Sequence, residues 1–376
     1  MTTILNSILI LLAGIYVLLI LFMRRGWSGI PLFYAVKDVG TRVSVLIAAR
    51  NEEQNIARTI DCLLAQDFPK TLLEIIIVDD HSTDRTSSIV SSYADRGVQL
   101  ICLNVGDSMN SYKKYAISQA IEKSQGEIIV TTDADCRMGP DWLKTIVQYF
   151  EQHQSYMVSS PVVYSEESSF FEELQTLEFL YLIGLGAAGI GNGVPTTCNG
   201  ANLAYRRDVF YEMDGFKGID ELASGDDELF LHKVAEKYAN RIGFCKSIAA
   251  IVYTDAKPDL RSFISQRKRW ASKSTKYKDK KVVFIGVVIW CFNLALITSL
   301  LYFIFQLPYC NWVLLTAFVF KIIAEFLFMI PLTRFADRVS LLKFLPLLSI
   351  VHSFYIVYIG LAGNIGKYDW KGRSVN

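Results

Sequence analysis

Two carboxylates stand one residue apart at the end of an apolar run that has the composition of a buried strand. The run reads Glu127-Ile-Ile-Val-Thr-Thr-Asp-Ala-Asp135, so Asp133 and Asp135 close it. In an α/β sheet, ligands bind in the crevice outside the carboxyl ends of the strands. Mg²⁺ and Mn²⁺ take carboxylate and phosphate oxygens as ligands. The pair therefore predicts a site where Mg²⁺ or Mn²⁺ is held against a diphosphate.

Two further acidic pairs lie in comparable positions. Asp79-Asp80 ends a second β-branched run, and Asp226-Asp227 precedes a helical sequence that starts near Glu228. Acids are also common at turns and at helix N-termini, where they interact with free N–H groups. From the residues alone, each pair is either a cap or part of a site, and the two roles are compatible.

A basic and aromatic motif, Gln266-Arg-Lys-Arg-Trp270, follows the acids in the chain. Gln266, Arg269 and Trp270 are spaced i, i+3 and i+4, so they share one face of a predicted helix. A planar guanidinium suits a diphosphate, and an indole offers a flat surface to a sugar ring. The alternative is an anchor at a membrane interface, where Arg and Trp are both common.

Strands and helices must alternate to position the acids. The predicted strands are 43–49, 74–80, 98–103 and the run that ends at the paired acids; the predicted helices are 51–65, 82–93, 113–124 and one that begins at 140. This order predicts an α/β fold with a parallel sheet and helices on both faces. In the second half, 225–239 and 258–277 are predicted helices, and 168–190 is either an interfacial helix or a core helix.

Four apolar runs are long enough to cross a bilayer as helices. The chain has 376 residues, of which 52% are hydrophobic, and this excess lies in the runs 4–23, 282–306, 311–332 and 340–362. Arg24-Arg25 follows the first run and a basic cluster precedes the second, which places both in the cytoplasm by the positive-inside tendency. The first run is predicted to be an uncleaved signal anchor.

These features predict an integral membrane protein, of the bacterial inner membrane, with a cytoplasmic catalytic domain. The predicted domains are an N-terminal anchor (1–25), the α/β domain with interfacial helices (40–280), a transmembrane region (282–362) and a tail (363–376). The formal net charge of +1 does not favour nucleic acid as a partner. Seven cysteines without paired spacing fit reduced thiols rather than a zinc site.

Lys321 and Glu325 lie one helical turn apart inside the third apolar run. Charged side chains in a bilayer are costly and usually pair or face the protein interior. They form either a pair that neutralises itself, which we favour, or part of a lining for an exiting glycan.

Six short motifs together resemble the membrane-embedded family-2 glycosyltransferases, which include the cellulose, chitin and hyaluronan synthases and the ceramide glucosyltransferases. They occur in the order that the family shows, between residues 43 and 270. The motifs are Ala49-Arg-Asn-Glu-Glu53, Val78-Asp-Asp-His-Ser-Thr-Asp84, Lys113-Lys-Tyr-Ala116, Thr132-Asp-Ala-Asp135, Gly225-Asp-Asp227 and Gln266-x-x-Arg-Trp270. The resemblance implies a glycosyltransferase A-type (Rossmann-like) domain flanked by transmembrane helices.

The resemblance also implies a role for each motif on the donor side. The nucleoside, with uracil as the expected base, would be bound by the following residues: Ala49, Asn51, Glu52 and Asp80. Lys113 would meet the phosphates, although a lysine at a solvated helix start is the alternative. Asp133 would meet the ribose–phosphate region and the metal, and Asp135 the metal. Gln266, Arg269 and Trp270 would complete the nucleotide-sugar site.

On the acceptor side, the resemblance implies that Asp227 is the general base, with Asp226 beside it. The segment Thr197-Cys-Asn-Gly-Ala-Asn202 resembles the acceptor-side loop of the family, so Asn199 and Gly200 are expected there, together with Trp270. Glu-Asp is frequent in the family at positions 226–227, and the Asp-Asp of this chain leaves open which of the two acids acts.

The sequence thus predicts an inverting, metal-dependent hexosyltransferase that uses a nucleotide sugar, expected to be UDP-linked. The acceptor is a lipid-linked or growing glycan, and both polymer elongation and single transfer remain open. Other classes are a membrane transporter with a regulatory nucleotide-binding domain and a non-catalytic scaffold. Intact acids at all three sites argue against a silent scaffold, and four apolar runs leave little room for inverted repeats.

Overall fold

The computed structural model describes residues 2–104, 111–222, 224–273, 277, 279–305, 312–363, 368–370 and 373–375. The chain divides into two compact units. The helical unit comprises Met1–Ser28, Glu167–Gly184 and Lys257–Tyr368. The α/β unit comprises Gly29–Glu166, Leu185–Ala256 and Asp369–Asn376. The units are discontinuous in sequence, and the predicted domain boundaries stay a prediction.

Ten of the described strands form the two larger sheets of the α/β unit. They are β1 (Val43–Ala49), β2 (Leu73–Asp79), β3 (Val98–Cys102), β4 (Ile128–Thr131), β5 (Arg137–Met138), β6 (Met157–Ser159), β7 (Val162–Tyr164), β8 (Leu203–Arg206), β9 (Ile242–Phe244) and β10 (Val252–Thr254). The main sheet has the order β3-β2-β1-β4-β8-β6-β9, and a small sheet has the order β5-β10-β7. Two short strands near the end of the chain, β11 (Tyr368–Trp370) and β12 (Arg373–Val375), pair with each other.

The first four strands are parallel, as the alternating pattern predicts. Val45, Leu46 and Ile47 of β1 are completely buried, because a central parallel strand is covered by helices on both faces. The sheet is not parallel throughout. β8 runs antiparallel to both β4 and β6, with Thr131 opposite Leu203. The start of β8 therefore lies beside the end of β4, where the paired acids follow.

The helices of the chain are α1 (Thr2–Gly29), α2 (Ile56–Leu64), α3 (Thr86–Ser91), α4 (Tyr112–Lys123), α5 (Trp142–His153), α6 (Phe170–Gly191), α7 (Arg207–Glu212), α8 (Glu228–Tyr238), α9 (Leu260–Ala271), α10 (Lys280–Phe305), α11 (Trp312–Phe335) and α12 (Leu345–Ala362). α2 and α3 begin later than predicted. Asn51 has a φ of 51° and cannot lie in a right-handed helix. Asp84 accepts a hydrogen bond from the N–H of Thr86, which sets the first turn of α3.

Five described helices are long and apolar enough to cross a membrane, namely α1, α6, α10, α11 and the segment Val339–Ala362 that contains α12. Four of them coincide with the predicted apolar runs. α6 differs from these four, since 67% of its most apolar window is buried inside the protein, against 22–39% for the others. This burial favours the core-helix interpretation of 168–190. Half of the predicted tail lies outside the described residues.

Candidate active site

The loops after β1 and β2 are joined by hydrogen bonds. The Asp80 N–H donates to the Ala49 carbonyl over 2.8 Å, and the Arg50 guanidinium donates to the carbonyls of Asp80 and His81, at 2.8 Å each. The Asp80 side chain is buried, with one carboxylate oxygen 2.9 Å from His81 Nδ1. The strand ends thus present Ala49 and Asp80 side by side.

Asn51 and Glu52 also take part in this junction. Asn51 Oδ1 accepts from the Thr83 N–H at 2.8 Å, and the Glu52 N–H donates to Thr86 Oγ1 at 2.8 Å. The Glu52 carboxylate accepts from Asn55 Nδ2 at 3.2 Å. The contacts show how these residues hold the two loops together, and their nucleoside-binding roles stay predictions.

Lys113, at the start of α4, joins two of the predicted acidic sites. Its Nζ lies 2.9 Å from Asp133 Oδ1 and 3.3 Å from Asp226 Oδ2. Burial alone would lower the pKa of Lys113, but the charges of Asp133, Asp226 and Asp227 outweigh it and raise that pKa. Lys113 is therefore a cation at neutral pH, held between an acid that follows β4 and an acid that precedes α8.

Asp227 accepts hydrogen bonds from two backbone N–H groups. Its Oδ1 accepts from the Glu228 N–H at 2.7 Å and so caps α8, and its Oδ2 accepts from the Gly200 N–H at 2.9 Å. A Cβ at Gly200 would lie 3.3 Å from Asp227 Cβ and 3.4 Å from Asp226 Oδ2. Glycine thus permits the close approach of the 199–202 turn to both acids.

The same turn is fixed to the sheet from its other side. Thr131 Oγ1, at the end of β4, donates to the Gly200 carbonyl at 2.9 Å. Asn199 Oδ1 accepts from the Ala201 N–H at 2.9 Å. Because β8 is antiparallel to β4, this turn meets the strand end that leads to Asp133. The structure thus brings Asn199, Gly200, Asp133, Asp226 and Asp227 into one neighbourhood of the α/β unit.

Lys114 and Ser111 fix the segment before Asp226, a role that the sequence analysis missed. Lys114 is buried, and its Nζ donates to the carbonyls of Leu222 and Ser224, the latter at 2.9 Å. Ser111 Oγ donates to the Leu222 carbonyl at 2.6 Å. The signal available was the doubled lysine, but its spacing does not reveal which lysine points inward.

Asp133 and Asp135 fit a divalent cation that arrives with phosphate. Both flank the buried thiol of Cys136, whose pKa is raised by burial and by these two charges. Within the described parts of the chain, no group of three or more His, Cys, Asp or Glu side chains is placed to hold a metal. Mg²⁺ sites commonly use one or two carboxylates together with substrate phosphate and water. Two acids are sufficient for such a site, although Lys113 shares Asp133.

Gln266, Arg269 and Trp270 lie on α9, which belongs to the helical unit. Gln266 Oε1 accepts from Arg267 Nη1 at 2.7 Å. The Trp270 ring lies 6.1 Å from the ring of Phe179. The predicted site residues are therefore divided between the two units, with the acids and Lys113 in one and this motif in the other.

Comparisons with known proteins agree with the predicted fold and with the resemblance to family-2 glycosyltransferases. Residues 44–214 match the model of the family described as Glycosyl transferase family 2. A beta-monoglucosyldiacylglycerol synthase of Synechocystis sp. is 34% identical over 109 residues, which is 29% of this chain and 23% of that protein. A hyaluronan synthase of Streptococcus pyogenes is 26% identical over 271 residues, 68% of this chain and 62% of that protein. The chain thus spans less than two thirds of these relatives.

A solved structure has a similar fold along most of the chain. It is a mannosyltransferase from Pyrobaculum calidifontis in complex with GDP-Man and Mn²⁺, with a TM-score of 0.58 and 19% identity. The match covers 93% of this chain and 99% of that one. Together with the observed sheet order, it confirms the predicted α/β fold of the glycosyltransferase A type.

Proposed function

We propose, from the match of residues 44–214 to the family model, that the chain is an inverting hexosyltransferase of the membrane. It transfers a sugar from a UDP-linked nucleotide sugar to a lipid-linked or growing glycan acceptor. The α/β unit faces the cytoplasm of a bacterium, and the apolar helices lie in the inner membrane. The names of the two relatives, a glycolipid synthase and a polysaccharide synthase, support both acceptor classes.

One observation carries the proposal. Lys113 contacts Asp133, which belongs to the predicted diphosphate site, and Asp226, which belongs to the predicted acceptor site. Group transfer needs a countercharge for the leaving diphosphate and a base for the acceptor within one reacting distance. The shared lysine supports the proposal that the two sets of acids act on one sugar.

The donor would be held by residues at the ends of the parallel strands. Asp80 accepts a hydrogen bond from the nucleobase, with the Ala49 backbone, Asn51 and Glu52 beside it. Asp133 and Asp135 would hold Mg²⁺ or Mn²⁺, which would supply positive charge to stabilise the departing diphosphate. Lys113 supplies a further positive charge to the phosphates. This set accounts for the nucleoside and the diphosphate of a nucleotide sugar.

The acceptor hydroxyl is deprotonated by Asp227 in this proposal. Both oxygens of Asp227 accept backbone N–H groups, which fixes the position of the carboxylate for accepting the proton of the acceptor. As the acceptor oxygen bonds to the anomeric carbon, the bond from that carbon to the diphosphate breaks. Attack from the far side inverts the anomeric configuration. Asp226, which faces Lys113, is the weaker candidate for the base.

The motif on α9 would complete the site, a role that rests on the sequence resemblance. Gln266 and Arg269 bind the diphosphate, and Trp270 presents a flat apolar surface to the acceptor sugar. Asn199 and Gly200 lie on the acceptor side of the acids.

Nucleotide release tests this proposal. The purified full-length protein is incubated with UDP-, GDP- and other nucleotide sugars and bacterial lipid extract, with Mn²⁺, Mg²⁺ or a chelator. We expect UDP release that requires the metal and increases with lipid. Glycan analysis of the products separates single transfer from polymer elongation.

The outcome separates the candidate classes. A protein that binds nucleotide sugars but releases no nucleotide with any acceptor would be a scaffold or a regulated transporter. Full activity in chelator would refute the metal site while leaving the transferase intact. Asp95→Ala, at an exposed carboxylate on the same unit, is the matched control for substitutions of the site acids.

A further inference from the structure

Arg267 lies within the α9 motif at a position that the motif spacing leaves unspecified. It is a buried cation, with 2% of its side chain exposed, and it pairs with Glu178 of α6, whose side chain is 5% exposed. Arg267 Nε donates to Glu178 Oε1 at 3.0 Å, and Arg267 Nη2 donates to Glu178 Oε2. The two bonds form a bidentate pair, the geometry that fixes a guanidinium plane most firmly.

The same guanidinium contacts two residues of the motif. Its third nitrogen, Nη1, donates to Gln266 Oε1 at 2.7 Å. Its central carbon lies 4.2 Å from the centroid of the Trp270 ring and 4.6 Å from that of Phe263. Arg267 is therefore bonded to one proposed substrate-binding side chain and in contact with the face of another.

A buried ion pair is a poor way to gain stability. Desolvation of two charges offsets most of their attraction, and replacement of such a pair by apolar residues of similar size is often neutral or stabilising. The contacts with Gln266 and Trp270 offer another reason for the pair. Only a planar, forked cation makes all of them at once, and a lysine at this position would not.

We propose that Arg267, held by Glu178, is a positioning residue that sets the direction of the Gln266 amide and the plane of the Trp270 indole. The inference deepens the proposed function, since it assumes that Gln266 and Trp270 meet the substrates. Arg267 itself acts through these two neighbours. Without it, the indole and the amide have more rotamers to lose when a substrate binds, which weakens acceptor binding and misplaces the reacting groups.

A paired apolar substitution tests this without leaving a single buried charge. Arg267→Met with Glu178→Leu should keep the thermal unfolding temperature near that of the wild type. The KM for the acceptor should rise and kcat should fall, together roughly 10- to 100-fold in kcat/KM, which is the usual cost of a small misplacement. Affinity for UDP alone should change less than the acceptor KM.

Another buried pair of the helical unit supplies the matched control. Lys321 and Glu325 are 1% and 5% exposed, and Lys321 Nζ lies 2.7 Å from Glu325 Oε1, but among the described residues neither is hydrogen-bonded to Gln266 or Trp270. Lys321→Met with Glu325→Leu removes the same two charges from the same unit. This variant should keep the kcat/KM of the wild type. An equal loss in both double variants would point to a general effect of charge removal and overturn the inference.

A conservative variant guards against a fold defect in the paired substitution. Arg267→Lys keeps a cation beside Glu178 but loses the fork and the stacking on Trp270. It should unfold near the wild-type temperature and still show the raised acceptor KM. Rescue of kcat/KM by lysine would show that only the charge matters, which contradicts a positioning role.

A mutant cycle distinguishes this inference from the proposed function. In a Gln266→Ala, Trp270→Ala background, the Arg267→Met, Glu178→Leu pair should have almost no further effect on kcat/KM, because residues acting through shared partners are not additive. If the background variant turned over normally, the proposed role of the motif would be wrong, and the inference with it. If the background variant were crippled while Arg267→Met, Glu178→Leu turned over normally, the inference alone would fail.

Discussion

The α/β unit and the helical unit each contain a cluster of charged side chains, and the two clusters differ in charge balance and in exposure. In the α/β unit, Lys113 is shared among Asp133, Asp226 and Asp227, and the side chain of Asp133 is 41% exposed. In the helical unit, Lys321 is paired with Glu325 alone among the carboxylates, and both are almost fully buried. Tyr16 and Ser349 donate further hydrogen bonds to Glu325. One cluster has more acid than base and is open to solvent, and the other is balanced and closed.

The difference separates a binding site from a structural pair. A balanced, hydrogen-bonded pair leaves nothing for a ligand to neutralise, whereas a partly exposed excess of carboxylates attracts a cation. This favours the structural interpretation of Lys321 and Glu325 over a glycan lining. It also supports the proposal that Asp133, beside Lys113, belongs to a metal and diphosphate site.

The largest expected effect comes from removing the carboxylate of Asp133 or Asp135. Asp135→Ala and Asp133→Ala should abolish metal-dependent nucleotide binding, because each removes a carboxylate that the cation needs to sit against a diphosphate. Titration calorimetry with UDP and Mn²⁺ measures this, and the unfolding temperature checks the fold. If Asp95→Ala lost binding to the same extent, the assignment of the site would be wrong.

Substitutions in the Lys321–Glu325 pair should change the free energy of unfolding. Lys321→Met alone leaves Glu325 buried without its cation and should lower the free energy of unfolding by about 3–5 kcal/mol. Lys321→Met with Glu325→Leu should recover most of that loss. Denaturation in detergent micelles compares the three proteins. A single substitution that costs no more than the double would mean that the pair is not desolvated.

Substitution of Asp227, the proposed base on the acceptor side of the Lys113 cluster, should slow the chemical step. Asp227→Asn keeps an oxygen to cap α8 but cannot accept a proton. We expect at least about a 10²-fold loss of turnover, or about 2.7 kcal/mol of activation free energy. Donor affinity should barely change, since the residue faces the acceptor. Single-turnover kinetics of Asp226→Asn in parallel decides the assignment, which would reverse if that variant were the crippled one.

Substitutions of Arg269 and Trp270 should have smaller effects, which also distinguish a binding role from a structural one. Arg269→Lys keeps the charge but loses the planar fork, so turnover should fall more than membrane insertion does. Trp270→Ala should impair acceptor use, and Trp270→Phe should be partly tolerated. Yield, protease accessibility and UDP release are measured on the same preparations. Normal turnover of purified protein with poor yield would identify both residues as interface anchors only.

The sequence predicted the parallel strands well because their local signal and their tertiary environment agree. β1 is a run of β-branched residues and is buried on both faces. β8 has only four residues, Leu-Ala-Tyr-Arg, with no period that distinguishes it from a loop. Its antiparallel direction depends on the long connection before it. The late start of α2 depends on the left-handed backbone of Asn51, which its bonds to the next loop stabilise.

The candidate site was predictable where a residue type implies its own chemistry. Acids at strand ends point to a crevice, and the structure places Asp133 and Asp226 around one lysine. Lys114 and Arg267 were missed because each lies next to a residue to which the resemblance assigns a role, namely Lys113 and Gln266. Helix spacing tells which residues share a face, but which of two adjacent cations turns inward depends on a partner from another element, such as Glu178.

The smallest expected effect concerns Asp84, whose carboxylate is stabilised by N–H and O–H donors instead of by a cation. Asp84 accepts from the Thr86 N–H at 2.9 Å, from Thr86 Oγ1 at 2.6 Å and from the Glu53 N–H at 3.1 Å. Burial would raise the pKa of Asp84, but these hydrogen bonds outweigh it and lower that pKa. Asp84 thereby joins the loop after β1, which carries Glu53, to the loop after β2, which carries Asp80.

Because the folded-state pKa of Asp84 is lowered, its contribution to stability is fully present above the unfolded value of about 3.9 and is lost as the pH falls through the folded value. Asp84→Ala should therefore lower the free energy of unfolding at pH 7 by roughly 0.5–1.5 kcal/mol, and the gap to the wild type should close below about pH 4. Asp84→Asn keeps one acceptor, so its smaller deficit should vary little with pH. Thermal unfolding of the three proteins across this range tests the point. A gap that widened on acidification would mean that Asp84 is not stabilised as a carboxylate, and that the loops around Asp80 are held by other contacts.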